Sequence, residues 1–161
     1  MHKILFVLGI TFICLAAQVV CAQVLGVWLT PNFLLIAVVF FGLYRGLRYS
    51  LWAAFLGGFF LDSFSGNTAG INVFSFVMCA FFTAWMKMNI YQPGAAGSRV
   101  LIIFIIAAAN SLLQYFYVIT KTEVGFGEAF FAAIFPGVFF TTIAGSYTFE
   151  RLKQCALRLF A

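Results

Sequence analysis

The 161-residue chain is 65% hydrophobic and only 8% charged, where soluble domains carry about 25% charged residues, and its mean hydropathy is +1.10. A soluble domain of this length has too little interior to hide that much apolar surface, so the composition excludes a water-soluble fold and points to an integral membrane protein. The net charge of +5, nine Lys and Arg against four Asp and Glu, then reports topology and gives no sign of nucleic-acid binding.

A hydrocarbon core of about 30 Å asks for about 20 apolar residues at about 1.5 Å of rise each. Uncharged runs of that order predict six helices in a single transmembrane domain over residues 1–161, an all-α, polytopic bundle of six transmembrane helices. The first run is Ile4–Ala22. Its basic start and its end at Val20-Cys21-Ala22 mimic a secretory signal peptide, but the long unbroken apolar stretch is more typical of an uncleaved signal anchor. The second helix begins at Thr30-Pro31-Asn32, where proline suits the first turn and Thr30 suits the N-cap. It has about 14 residues before Arg45, roughly 21 Å, so the arginines snorkel, the bilayer thins, or the hairpin of helices two and three sits partly inside the bundle.

After the turn Arg45-Gly46-Leu47-Arg48, helix three carries Gly57-Gly58 and then Asp62, the one carboxylate at membrane depth. Asp62 lies about 20 Å above the start of that helix and needs compensation, because a charge at the bilayer centre costs about 2.5 to 3.5 kcal/mol. Two readings stand. Either Asp62 organises the bundle or a binding surface, or it is a helix-end residue bonding the backbone of the turn Ser63-Phe64-Ser65-Gly66-Asn67. Gly42-x-x-x-Gly46 and Gly57-Gly58 favour a closely packed hairpin.

Helix four, Ile71–Met86, ends at Lys87, and helix five, Val100–Thr120, places Asn110, Gln114, Tyr117 and Lys121 on one face. That face should turn away from lipid, either to bond neighbouring helices or to bind a small ligand. Helix six, Ala129–Phe149, contains Pro136, which predicts a kink beside Gly137, with Thr141 and Thr142 placed to help satisfy the neighbouring backbone. The tail, residues 150–161, sets Leu152, Cys155, Ala156 and Leu159 opposite Arg151, Lys153 and Arg158, an amphipathic segment suited to anionic lipid at the inner leaflet.

Cytoplasmic loops gather Lys and Arg. An inside N-terminus puts Lys3, Arg45, Arg48, Lys87, Arg99, Arg151, Lys153 and Arg158 on the cytoplasmic face and leaves Lys121 outside, so both termini should be cytoplasmic. Trp28, in the first outer loop, and Trp52 and Trp85, at cytoplasmic helix ends, fit the two interfaces.

No reaction is suggested by the sequence. The sole histidine is His2, and Cys14, Cys21, Cys79 and Cys155 form no metal-ligand spacing, so no metal, cofactor or enzymatic role is expected. A nucleophile elbow, a phosphate loop and paired carboxylates on a helix face are also missing.

Pro31 and Asn32 ahead of a hydrophobic helix, the Arg45-Gly46 turn, and above all the segment from Gly58 to Asn72 resemble the bacterial MreD family of rod-shape-determining proteins. The family pattern G-x-x-x-D-x-x-S-G-x-x-x-G falls on Gly58, Asp62, Ser65, Gly66 and Gly70, with Asn72 beyond it. The resemblance implies a non-enzymatic scaffold of the bacterial inner membrane in the machinery for lateral wall synthesis. The partners it implies are MreC with its single span, MreB filaments, RodA and penicillin-binding protein 2. It also implies similarity in fold to the six-helix substrate-binding subunits of energy-coupling-factor vitamin transporters, which makes small-molecule binding the rival function.

Overall fold

The computed structural model describes residues 2–26, 30–65, 70–92, 96–121 and 128–160. Its helices are α1 (His2–Leu25), α2 (Phe33–Tyr44), α3 (Leu47–Ser65), α4 (Ile71–Asn89), α5 (Ala96–Lys121) and α6 (Glu128–Phe160), and among the described residues all regular structure is helical. By length and apolar composition, three segments can cross a membrane: Leu5–Val24, Ile71–Asn89 and Gly97–Tyr117. The N-terminal run and helices four and five therefore have the expected length and composition; α1 and α5 extend past the expected bounds at both ends, α4 only at its C-terminal end.

The second helix is the organising element. All ten residues from Leu34 to Leu43 are buried, and α2 packs against each of the other five helices. Its sequence, FLLIAVVFFGLY, is apolar on every side, a pattern that fits enclosure by protein or by lipid alike. At 12 residues it is about 18 Å long and cannot cross a hydrocarbon core alone. Of the three solutions open to so short a helix, the structure takes the one in which it lies inside the bundle.

Small residues let the neighbours close on it. A Cβ at Gly42 would sit 2.7 Å from the Thr83 methyl of α4, so α4 approaches α2 where any side chain would intrude; on α6, a Cβ at Gly145 would press on Ile103 of α5 at 2.9 Å and meet Ile36 of α2 at 3.5 Å. Ser50 on α3 donates to the Val38 carbonyl at 2.8 Å and ties the hairpin across its middle. The turn between α2 and α3 closes with Arg45 N–H and Gly46 N–H both donating to the Phe41 carbonyl, at 2.8 and 2.9 Å. Gly46 sits at φ +97°, a left-handed conformation that glycine adopts without strain.

The core is aromatic at one end of α2. Phe40, Tyr44 and Phe149 pack in edge-to-face and tilted pairs at 5.2 to 5.6 Å between ring centroids, joining α2 to the lower half of α6. Beside them Arg99 pairs with Glu150 at 2.7 Å. Tyr91, in the connection after α4, belongs to the same cluster; burial and a hydrogen bond with Tyr44 push its hydroxyl up to about 12. Helix α6 runs through Pro136 and on to Phe160, so the tail is a continuation of the helix. Trp28, in the expected first outer loop, falls outside the described residues.

Candidate functional site

Any helix leaves four N-terminal N–H groups without intrahelical partners, and in an apolar bundle each must be met by something else. The polar residues singled out from the sequence answer this requirement at two places.

The first is the start of α4. Asp62, in the last turns of α3, reaches across the gap and accepts from three α4 backbone groups: Gly70 N–H at 3.1 Å, Asn72 N–H at 3.2 Å and Val73 N–H at 3.2 Å. The Asn72 side chain adds a fourth bond to the same carboxylate at 2.9 Å. No acidic residue stands in the first turn of α4 itself. The negative charge that complements the positive end of the helix is thus supplied by its neighbour.

This geometry explains the spacing of the motif. Gly58 lies one helical turn before Asp62 on the same face. A Cβ there would sit 2.5 Å from Val73 Cα and 2.7 Å from Val73 N, so the α3 and α4 backbones touch at this level. Glycine at the first position allows the approach, and aspartate four residues later is then within hydrogen-bonding distance of the exposed N–H groups. Gly70, the N-cap, has φ +90° and turns the chain into α4 in a conformation costly for other residues. Of the two readings of Asp62, the described bonds bear on the bundle-organising one: the carboxylate joins the end of α3 to Gly70, Asn72 and Val73 at the start of α4, while Gly66 and Asn67 of the turn lie outside the described residues. Ser65 closes α3, but its side chain, like Gly66, lies outside the described residues.

From Asp62 the polar contacts continue along the seam between α4 and α5. The Asn72 carbonyl oxygen accepts from Gln114 Nε2 at 3.0 Å; one turn deeper, Ser75 Oγ donates to Asn110 Oδ1 at 2.5 Å; below that, Cys79 Sγ faces the Ile106 carbonyl at 4.0 Å. Asn110 and Ser75 are 3% and 0% exposed. Among the described residues no buried side-chain nitrogen or oxygen lacks a partner. Helix five therefore commits Asn110 and Gln114 to its neighbour. Tyr117, further along that face, is half-buried, and the side chain of Lys121 lies outside the described residues.

The second place is the start of α2, inside the bundle. Asn32, not Thr30, is the N-cap, and Pro31 precedes it as a buried residue just outside the helix. Thr30 instead bonds back to the Gly26 carbonyl at 2.7 Å. The four N–H groups at this end are each accounted for. Asn32 N–H donates to Thr141 Oγ1 on α6 at 3.0 Å, and Phe33 N–H to the Pro31 carbonyl at 3.0 Å. Leu34 N–H donates to Gln18 Oε1 on α1 at 3.2 Å, and Leu35 N–H to the Asn32 side chain at 3.0 Å. Gln18 is absent from the residues singled out by sequence, although an uncharged amide in the middle of an otherwise apolar run is a legible signal of a buried polar partner. Thr142 bonds the Val138 carbonyl of its own helix at 2.8 Å, whereas Thr141 serves α2.

The arrangement as a whole fixes where two helices begin and holds α3, α4 and α5 together at one end. Among the described residues no group of three or more His, Cys, Asp or Glu is placed to hold a metal ion. At the opposite, basic end, Arg45 caps α2 through its backbone and its side chain is half-buried.

Compared with known protein families, the chain matches the model described as rod shape-determining protein MreD over residues 1–141. Comparisons with curated proteins and with solved structures gave no match.

Proposed function

The chain belongs to the MreD family of rod shape-determining proteins, and from that premise we propose that it is a non-enzymatic scaffold of the bacterial inner membrane that positions wall-synthesis partners during rod elongation. In this reading all six helices are embedded in the bilayer, α2 as a central post within the bundle, and both termini are cytoplasmic. The partners are MreC, through its single span, MreB filaments, RodA and penicillin-binding protein 2.

The observation that carries the reading is the family match over the region where the polar residues are consumed by the fold. Asp62, Asn72, Asn110 and Gln114 bond one another or backbone, and Gly58 and Gly70 shape the join. Such a bundle presents mostly apolar outer faces, suited to docking other transmembrane helices. Pro31, Asn32, Arg45, Gly46, Ser65 and Gly66 contribute to the same role by shaping the hairpin and its outer turn.

Depletion tests the proposal directly. Cells should lose rod shape and recover it with the wild-type chain, and the tagged protein should co-purify a single-span periplasmic partner. Unchanged morphology with lost vitamin uptake, or co-purification of an ATPase module, would overturn the scaffold in favour of a transporter subunit.

A further inference from the structure

We propose that the groove on the outer face of α3 lined by Arg48, Leu51, Trp52 and Phe55 binds an anionic phospholipid, with the lipid phosphate on Arg48 and an acyl chain along Trp52 and Phe55. The inference is independent of the scaffold reading.

The groove is shallow and open, with a volume of about 350 Å³, and its described lining is one helical stripe, with the cation at the start of α3 and aromatic residues further along it. Trp52 is 46% and Phe55 51% exposed, and Arg48 is exposed as well. From Arg48 to Phe55 the helix rises about 10 Å, so the occupant must be anionic at one end and apolar for at least that length. A soluble anion would leave the aromatic floor unused. A purely apolar chain would leave Arg48 unanswered.

Charge supports the same occupant. Among the described residues no carboxylate pairs with Arg48. The first turn of α3 contains no acidic residue, so the positive end of the helix and the guanidinium both favour an anion at this point. The molecule supplies its own control. A second outer groove, of about 370 Å³ on α4, is lined by Met78, Phe81, Phe82 and Trp85, with no cation among its described residues. Its described lining offers similar apolar surface without a charged group to select a headgroup.

The test uses the full chain in nanodiscs, with Trp28→Phe and Trp85→Phe leaving Trp52 as the fluorophore. Brominated phosphatidylglycerol is expected to populate the groove about fivefold over brominated phosphatidylcholine, the ratio given by about 1 kcal/mol per basic residue near an anionic lipid. Arg48→Gln should erase that preference and Arg48→Lys should keep it. Phe55→Ala, which leaves every charge in place, should lower phosphatidylglycerol occupancy, whereas diffuse attraction to a basic surface would be indifferent to it. Equal quenching by the two lipids, or a preference that survives Arg48→Gln or ignores Phe55→Ala, would overturn the proposal. So would Trp52 shielded from both lipids, the signature of a second copy or a partner helix in the groove. If the tryptophan-reduced chain does not fold, phosphatidylglycerol retention in native mass spectra of the unaltered chain and of Arg48→Gln reads the same difference.

Discussion

At the start of α4 one carboxylate from α3 takes three backbone N–H groups, whereas at the start of α2 the same demand is divided among Gln18, Asn32, Thr141 and the Pro31 carbonyl. The difference follows from depth. A Cβ at Gly57 would meet the Leu34 side chain at 3.0 Å, so α2 begins level with a residue about 7.5 Å short of Asp62 along α3. An ionised carboxylate that far inside would lack solvent and a counter-charge, and neutral amides and hydroxyls cost much less to bury. Nearer the end of the bundle a charge is tolerated, and it replaces several neutral groups. The start of α4 therefore hangs on a single residue, while the start of α2 is held from several elements at once.

The sharpest way to break this contrast is Asp62→Leu. It orphans three N–H groups and the Asn72 amide together, and it should cost on the order of 3 kcal/mol or more, seen as a lower unfolding temperature in detergent and lost rescue of cell shape. Asp62→Asn keeps an acceptor oxygen and should be better tolerated; equal behaviour of the two would place the importance of Asp62 elsewhere. Next come the adjacent glycines. Gly58→Ala drives a methyl into the Val73 backbone and should destabilise by about 2 kcal/mol, while Gly57→Ala presses only on the flexible end of Leu34 and should cost clearly less, by the same thermal measurement. A reversed order would mean that the α3–α4 approach is not what Gly58 provides.

At the start of α2, Asn32→Ala removes one cap among several and should cost about 1 kcal/mol. If it matched Asp62→Leu, the sharing of the load at that end would be refuted. The smallest effect is expected of Gln114→Leu, which breaks one interhelical bond worth about 0.6 kcal/mol and leaves the Asp62 cap intact. Hydrogen exchange at Asn72 and Val73 should stay slow in that variant and become fast in Asp62→Leu.

Much of the candidate site is legible in the sequence. Asp62 stands out because a carboxylate at membrane depth demands compensation, and Asn110 and Gln114 stand out because their spacing puts both on one helical face. Their partners are not legible in the same way. Asp62 bonds residues 8 to 11 positions on, at the start of the next helix, and Asn32 meets Thr141 across 109 residues. The N-cap of α2 lies two residues beyond Thr30 because Thr30 and Asn32 are both competent caps, and only the approach of α6 and α1 selects between them.

What the sequence determined by itself was the solvent of the protein, its helical content, and the residues whose polarity had to be explained. Those depend on composition and spacing along one chain. Tertiary structure alone decided which apolar helix faces outward and which is enclosed. In α1, Phe12, Ile13 and Val20 are more than 60% exposed, while in α2 every residue from Leu34 to Leu43 is buried, although both segments are predominantly apolar. Lipid tails and leucine side chains are equally apolar, so hydrophobicity cannot tell a helix surrounded by lipid from one surrounded by protein. What puts α2 at the centre is its shortness, the small residues at its contacts with α3, α4 and α6, and the neighbouring helices that offer polar groups or close packing to its two ends.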